Sequence, residues 1–415
     1  MLKSKSIKSR KSRSLLMKQA KIADRVASYG AIATRVESVE ENGIRIEPYA
    51  DLSYKNLTGA NLTGANLAYA DLTGAILTGA NLTGANLTYA TFTDATLTGA
   101  TLQSAILSSA NLTRANLLNA IFTRANLRGA NFTSANLRGA NITNANLINA
   151  YFYNTILTSA NLTGAILTGA NLINANFTGA NFTGANITGA NIYNTKFDFA
   201  NLTSMDLSNR NLSGADFTGA NLTGANLTGA NIINANFNNA NLSYANLKGA
   251  NLSGADLISA NLISANLTDA NLTNAKFEYA NISYANLTGA NLTNANLQRV
   301  TLKDAILKDA ILIGADFKYA DLTNVNLSNM DLSGVARFYS TQFFNANLSY
   351  AILTGVNLQA AYFNNANLTG ANLRGADITG ADVRDANFSY VDLREVNYND
   401  VNFKEAGNTT GTIFK

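Results

Sequence analysis

The chain has 415 residues, of which 13% are charged, with no Cys, no His, no Trp and one Pro. The missing Cys and His exclude disulfides and Ser–His or Cys–His nucleophiles, and no apolar run approaches the ~18 residues of a membrane span. The net charge of +4 is uneven: residues 1–50 carry 11 Lys and Arg against 5 Asp and Glu, whereas the other 365 carry 19 against 21.

The first segment, residues 1–29, is a basic arm. Lys3, Lys5, Lys8, Arg10, Lys11, Arg13, Lys18 and Lys21 appear with no acidic residue among them. The arm lacks a sustained apolar core, so it does not read as a secretory signal. Its Ser-rich, acid-poor composition also fits an organelle transit peptide, but a flexible anion-binding tail is the preferred reading. Such a tail binds nucleic acid or an anionic membrane weakly and with strong salt dependence. From about Ser14 to Tyr29 the pattern turns helical, with Leu15, Ile22, Val26 and Tyr29 on one face and Gly30 as a stop. Residues 30–49 then predict strand, Asn42–Gly43 turn and strand, a hairpin placed to cover the first open edge of the repeats.

Residues 50–405 repeat one five-residue phrase, as in Asn61-Leu62-Thr63-Gly64-Ala65. Leu62 is a centre, Ala60 two before it a small slot, and Gly64 two after it a turn slot. Centres fall at every fifth residue from 52 to 332, slip by one residue near 334–336, and resume from 338 to 403. Small slot and centre, two apart on an extended chain, face one way, and the flanking Asn and Thr face the other. The turn slot holds 26 of the 30 glycines, as a type II corner with positive φ prefers. Large rings stack best on large rings one coil away. Phe177, Phe197, Phe217, Phe237, Phe277 and Phe317 differ by multiples of twenty, and Phe338 continues the series once the slip is allowed for. Twenty residues are four repeats, so the coil is square. The expected structure is an all-β parallel solenoid of about 18 coils, at ~4.8 Å per coil. Residues 406–415 leave the pattern and are expected to form a loose tail, unless Thr412-Ile413-Phe414 pairs with something.

These phrases resemble those of pentapeptide-repeat proteins over some 350 residues. The resemblance implies a right-handed quadrilateral parallel β-helix, here with a short N-terminal helix and hairpin cap. It also implies a choice of roles, since some family members imitate duplex DNA and protect type II topoisomerases from inhibitors.

The composition offers little chemistry. No cofactor, metal or catalytic residue is expected, because the carboxylates alternate with Lys and no cleft or phosphate-cradling loop is evident. DNA mimicry needs a dense negative surface, and the repeats carry a net charge of only −2. An ice- or water-ordering role for the outward Asn and Thr is a further alternative. The preferred reading is a non-enzymatic rod, a scaffold or protein-binding spacer with a basic tether. It is expected in the cytoplasm or within a viral particle, with self-association at the coil ends a further option. Lys55 and Arg210 occupy small slots, where a local opening would let their charges reach water. Met205 and Met330 also replace Ala and are expected only to adjust packing. A partner patch is expected where Ile311, Ile313, Tyr319, Tyr339 and Phe344 converge around the slipped corner, with Lys308 and Lys318 at its rim.

Overall fold

A computed structural model of the protein describes residues 39–41 and 43–414. The arm residues Lys3 to Lys21 and the helix expected up to Tyr29 lie outside them. Strands β1 (Val39–Glu41) and β2 (Ile44–Ile46) pair in a two-stranded sheet. Ile46 is buried, and the Glu41 carboxylate accepts the Asn61 N–H at 3.1 Å.

From residue 50 onward the backbone winds as a four-sided parallel β-helix, and each repeat lays one short strand on one side. Residues twenty apart pair in parallel, Asp51 with Asp71, Asn56 with Ile76, Asn61 with Asn81 and Asn66 with Asn86. We call the sides first to fourth in that order. The Leu62 N–H donates to Asn81 O at 2.7 Å, and the Asn81 N–H returns to Ala60 O at 2.9 Å. Nearly every corner is closed by a bond such as Ala65 N–H to Leu62 O, 3.1 Å. In nearly every repeat the turn slot has positive φ, whether it is Gly64 (66°), Asn119 (55°), Arg114 (57°) or Tyr69 (61°). Centres and small slots fill the interior. Phe177, Phe197, Phe217, Phe237, Phe277, Phe317 and Phe338 are all fully buried. Their rings stack at 5.8 Å (177–197), 5.4 Å (197–217), 4.9 Å (217–237) and 5.1 Å (317–338).

The flanking Asn does more than face outward. Its Oδ1 accepts the N–H of the residue after the centre and, in many repeats, the Thr hydroxyl as well: Thr83 N to Asn81 Oδ1 is 3.1 Å and Thr83 Oγ1 to the same atom 2.6 Å. This Asx arrangement starts the corner. Several Asn side chains also ladder between coils, as Asn86 Nδ2 does to Asn66 Oδ1 at 3.1 Å.

The one-residue slip places Val335 in the small slot, buried, and leaves Ala336 exposed as the extra residue before Arg337 pairs with Asp316. A second slip comes at Gly407. Beyond it the chain rejoins the ladder, with Asn408 opposite Asn387 and Ile413 opposite Asp392. Residues 406–414 are therefore no loose tail. The pattern was hidden because a polar Thr409 holds the centre position and an extra residue precedes it.

At one position around the coil, the fourth and first sides lose their pairing together in two places. Among the described residues, Asn186 and Asn191 lack bridges to Asp206 and Asn211, and Ile306 and Ile311 lack bridges to Asn326 and Asp331. At the corner joining these sides the small slot holds Arg210 in one case and Met330 in the other. Most other small slots at this corner hold Ala, so in these two places a long side chain coincides with the lost pairing. Arg210 is half-buried, with its Nε sequestered and without a hydrogen-bond partner among the described residues. Met330 does more than adjust packing, whereas Met205 is buried.

Candidate functional site

Turn-slot side chains project from the corners, so residues twenty apart stack along an edge of the solenoid. Tyr49, Tyr69 and Tyr89 do so at 4.9 and 5.0 Å. On the edge between the second and third sides, the Arg299 guanidinium lies between Tyr279 and Tyr319, 5.4 and 5.0 Å from their ring centroids. The Lys318 ammonium lies 5.0 Å from the Tyr319 ring and 5.3 Å from Tyr339, and the two rings meet edge to face at 5.7 Å. Each such cation–π contact contributes about 0.5–1 kcal/mol when exposed. Below them the nearly buried Asp316 accepts from Gln298 Nε2 (3.0 Å) and the Lys318 N–H (3.1 Å), and pairs with Arg337 at 2.7 Å. This edge presents an ordered row of rings and cations.

The second ladder interruption opens a cleft of about 1100 Å³ lined by Ile306, Lys308, Asp309, Ile311, Ile313, Met330 and Asp331, among others. Its ends are held by paired backbone, Asp304 N–H to Thr323 O at 3.0 Å and Gly314 N–H to Gly334 O at 2.7 Å. The Ser333 hydroxyl and N–H hold the Asp331 carboxyl below the usual carboxylate range, so it carries its charge in the cleft.

The five residues expected to converge do not form one patch. Ile311 and Ile313 flank Leu312 on the first side and line the cleft. Tyr319 and Tyr339 meet at the edge between the second and third sides. Phe344 lies on the third side, half-buried, with its ring 6.0 Å from that of Tyr362. The first and third sides are opposite each other in a four-sided coil, because two corners separate residues ten apart. Of the rim residues, Lys308 belongs to the cleft and Lys318 to the aromatic edge. Sequence reasoning missed Tyr279 and Arg299, although the same count of twenty leads from Tyr319 to both.

The model for the family described as pentapeptide repeats matches successive stretches of the chain, the first at residues 49–79 and the last at 351–389. The chain belongs to the pentapeptide-repeat family. Its solenoid is accordingly a right-handed quadrilateral β-helix. Similar pentapeptide-repeat structures include HetL, involved in heterocyst differentiation regulation, from the cyanobacterium Nostoc sp. strain PCC 7120. It is 30% identical over 62% of this chain and 89% of its own, with a TM-score of 0.26. Rfr23 from the cyanobacterium Cyanothece 51142 is 38% identical over 23% of this chain and 62% of its own, TM-score 0.18. Full-length QnrB1, a plasmid-mediated fluoroquinolone resistance protein, is 23% identical over 47% of this chain and 91% of its own, TM-score 0.22. No curated protein matches the chain. No helix among the described residues is long and apolar enough to cross a membrane.

Proposed function

We propose that this pentapeptide-repeat protein is a non-enzymatic interaction rod, a scaffold or spacer that binds another protein, with its basic N-terminal segment as a tether to polyanions. The observation that supports it most is the division of labour on the surface. The repeated Asn and Thr side chains are engaged in holding corners and neighbouring coils, whereas departures from the repeat gather into the Tyr279–Arg299–Tyr319–Lys318–Tyr339 edge. Ordered aromatic rings with Arg are a common composition for the anchors of a protein contact. A residue-by-residue imitation of DNA fits poorly with a net charge of −2 over residues 51–415.

The test is capture of partners from the native host, comparing the full chain, a version lacking residues 1–29, and a Tyr319→Ala/Tyr339→Ala variant. Loss of a partner with the double variant, at unchanged melting temperature, supports the edge as a contact. Retention of every partner by the double variant removes the edge, and retention by the shortened chain of all low-salt polyanion binding removes the tether.

A further inference from the structure

The cleft between residues 304 and 334 is walled by unpaired strand edges. On its upper wall the N–H groups of Leu307, Asp309 and Leu312 find no backbone acceptor in the next coil, and the carbonyls of Ala305 and Ala310 find no backbone donor among the described residues. On the lower wall the N–H groups of Asn326 and Asp331 and the carbonyls of Asn326, Ser328 and Asp331 are likewise unmatched. Along the intact ladder these same positions are bonded, as in Leu287 N–H to Ile306 O, 2.8 Å. Along the upper wall the order is therefore one acceptor (Ala305), two donors (Leu307 and Asp309), one acceptor (Ala310) and one donor (Leu312), the set that the next coil satisfies along the intact ladder and that a strand added on the same path can satisfy.

Side chains narrow the class of partner. Ile306, Ile311 and Ile313 stand at the upper wall 50%, 45% and 60% exposed, where the repeat elsewhere puts mostly Asn and Thr. Asp304, Asp309 and Asp331 line the same opening against the single lining cation Lys308. Leu307 and Leu312 remain buried beneath, so the interior stays closed and the occupant lies in the mouth.

We propose that this cleft binds an extended, basic segment of a partner protein as a strand added along the Ile306–Ile313 wall, with its apolar side chains on the three isoleucines. The proposal rests on the protein-binding reading above and deepens it. Two sides and the corner between them accommodate about 8–10 residues at ~3.3 Å per residue.

The test uses the full-length protein and a fluorescein-labelled peptide, Lys-Ala-Val-Val-Thr-Gly-Ala-Val-Val-Lys, in fluorescence anisotropy at low salt. Saturable binding is expected, with slower amide exchange at Leu307, Asp309 and Leu312 on addition of peptide. N-methylation of alternate peptide amides should weaken binding at least tenfold, because it removes the backbone bonds and keeps the apolar groups. Met330→Ala restores the small residue of the other corners and should let the coils pair, slowing exchange at those three amides without peptide and weakening binding at least tenfold. Asp309→Asn/Asp331→Asn, which keeps the Asx geometry of residue 331, should weaken binding severalfold and flatten its salt dependence. No saturable binding, binding indifferent to N-methylation, or unchanged exchange at the three amides overturns the proposal. If Met330→Ala closes the ladder and the native-host partners are still captured, the cleft proposal fails while the protein-binding reading stands.

Discussion

Replacing Phe217 by Ala should be among the costliest single changes in the solenoid. The ring is fully buried and sandwiched, 5.4 Å from Phe197 at 4° and 4.9 Å from Phe237 at 7°. Truncating a buried Phe costs about 3–5 kcal/mol, because the walls collapse only partly onto the space it leaves. Each lost ring pair adds about 0.5–1.5 kcal/mol beyond area burial, which places this position toward the upper end of that range. The comparison is Asn236→Ala, on the outside one coil on. It loses the Asn236 Oδ1 bond to the Asn238 N–H, 3.0 Å, and should cost about 0.5–1.5 kcal/mol. Coils touch only their neighbours, so a global melt can blur a local loss. Denaturant midpoints should therefore be read together with native-state amide exchange at Leu202, Leu222 and Leu242. A double-mutant cycle with Phe197→Ala should return a coupling of about 0.5–1.5 kcal/mol. A Phe217→Ala loss below about 1.5 kcal/mol, half the low end for a buried Phe, or one equal to that of Asn236→Ala, would refute the stacked interior.

Arg210→Ala should raise stability by about 1–3 kcal/mol, because it removes a sequestered Nε without a partner and restores the small slot. Exchange at Ile187 and Ile192 should slow with it, and faster exchange would contradict the link between Arg210 and the lost pairing. Gly407→Ala should destabilise the last coil, since a Cβ there would lie 2.8 Å from Asp385 O; exchange at Ile413 measures this, and no change would show that the backbone yields easily. Acid should act through Asp382, whose carboxyl the Arg384 side chain holds down at about 2. A depressed folded value means that its contribution is present above the unfolded value of about 3.9 and is lost as the pH falls through about 2. The melting temperature of Asp382→Asn should therefore converge on that of the parent between about pH 4 and pH 2, and parallel curves would refute the pairing.

Much of this architecture is legible in one dimension because the inside is periodic. Leu62, Ala60 and Gly64 declare inward centre, small slot and corner, and the twenty-residue spacing of Phe177 to Phe317 sets the number of sides. The departures are harder to read. Met330 and Arg210 look like tolerated replacements of Ala until the neighbouring coil is in place, since the pairing lost beside them is between residues twenty apart. Ile313 and Phe344 appear near each other when counted along the chain around the slip, yet the square coil puts them on opposite sides. Gly407 hides the final coil because the slip and the polar Thr409 fall together. The Asn–Thr pairs announce exposure correctly, but their bond to the corner depends on a backbone bend that alternation alone does not supply.

That bond has a consequence for how such a surface can change. The accepting atom is a carbonyl oxygen in Asn81 and a carboxylate oxygen in Asp71, Asp216 or Asp321. The corner N–H is held at 3.1 Å by Asn81, 3.0 Å by Asp71 and Asp216, and 2.9 Å by Asp321. Exchanging Asn for Asp at a flank therefore leaves the corner geometry intact while adding a full negative charge to one side of the rod. What is lost is the amide that bridges some neighbouring coils, as between Asn86 and Asn66. Electrostatic identity and shape are thus set by separate atoms of the same side chain. A lineage of such rods can move between near-neutral and polyanionic surfaces by single substitutions along one column, with the same backbone underneath.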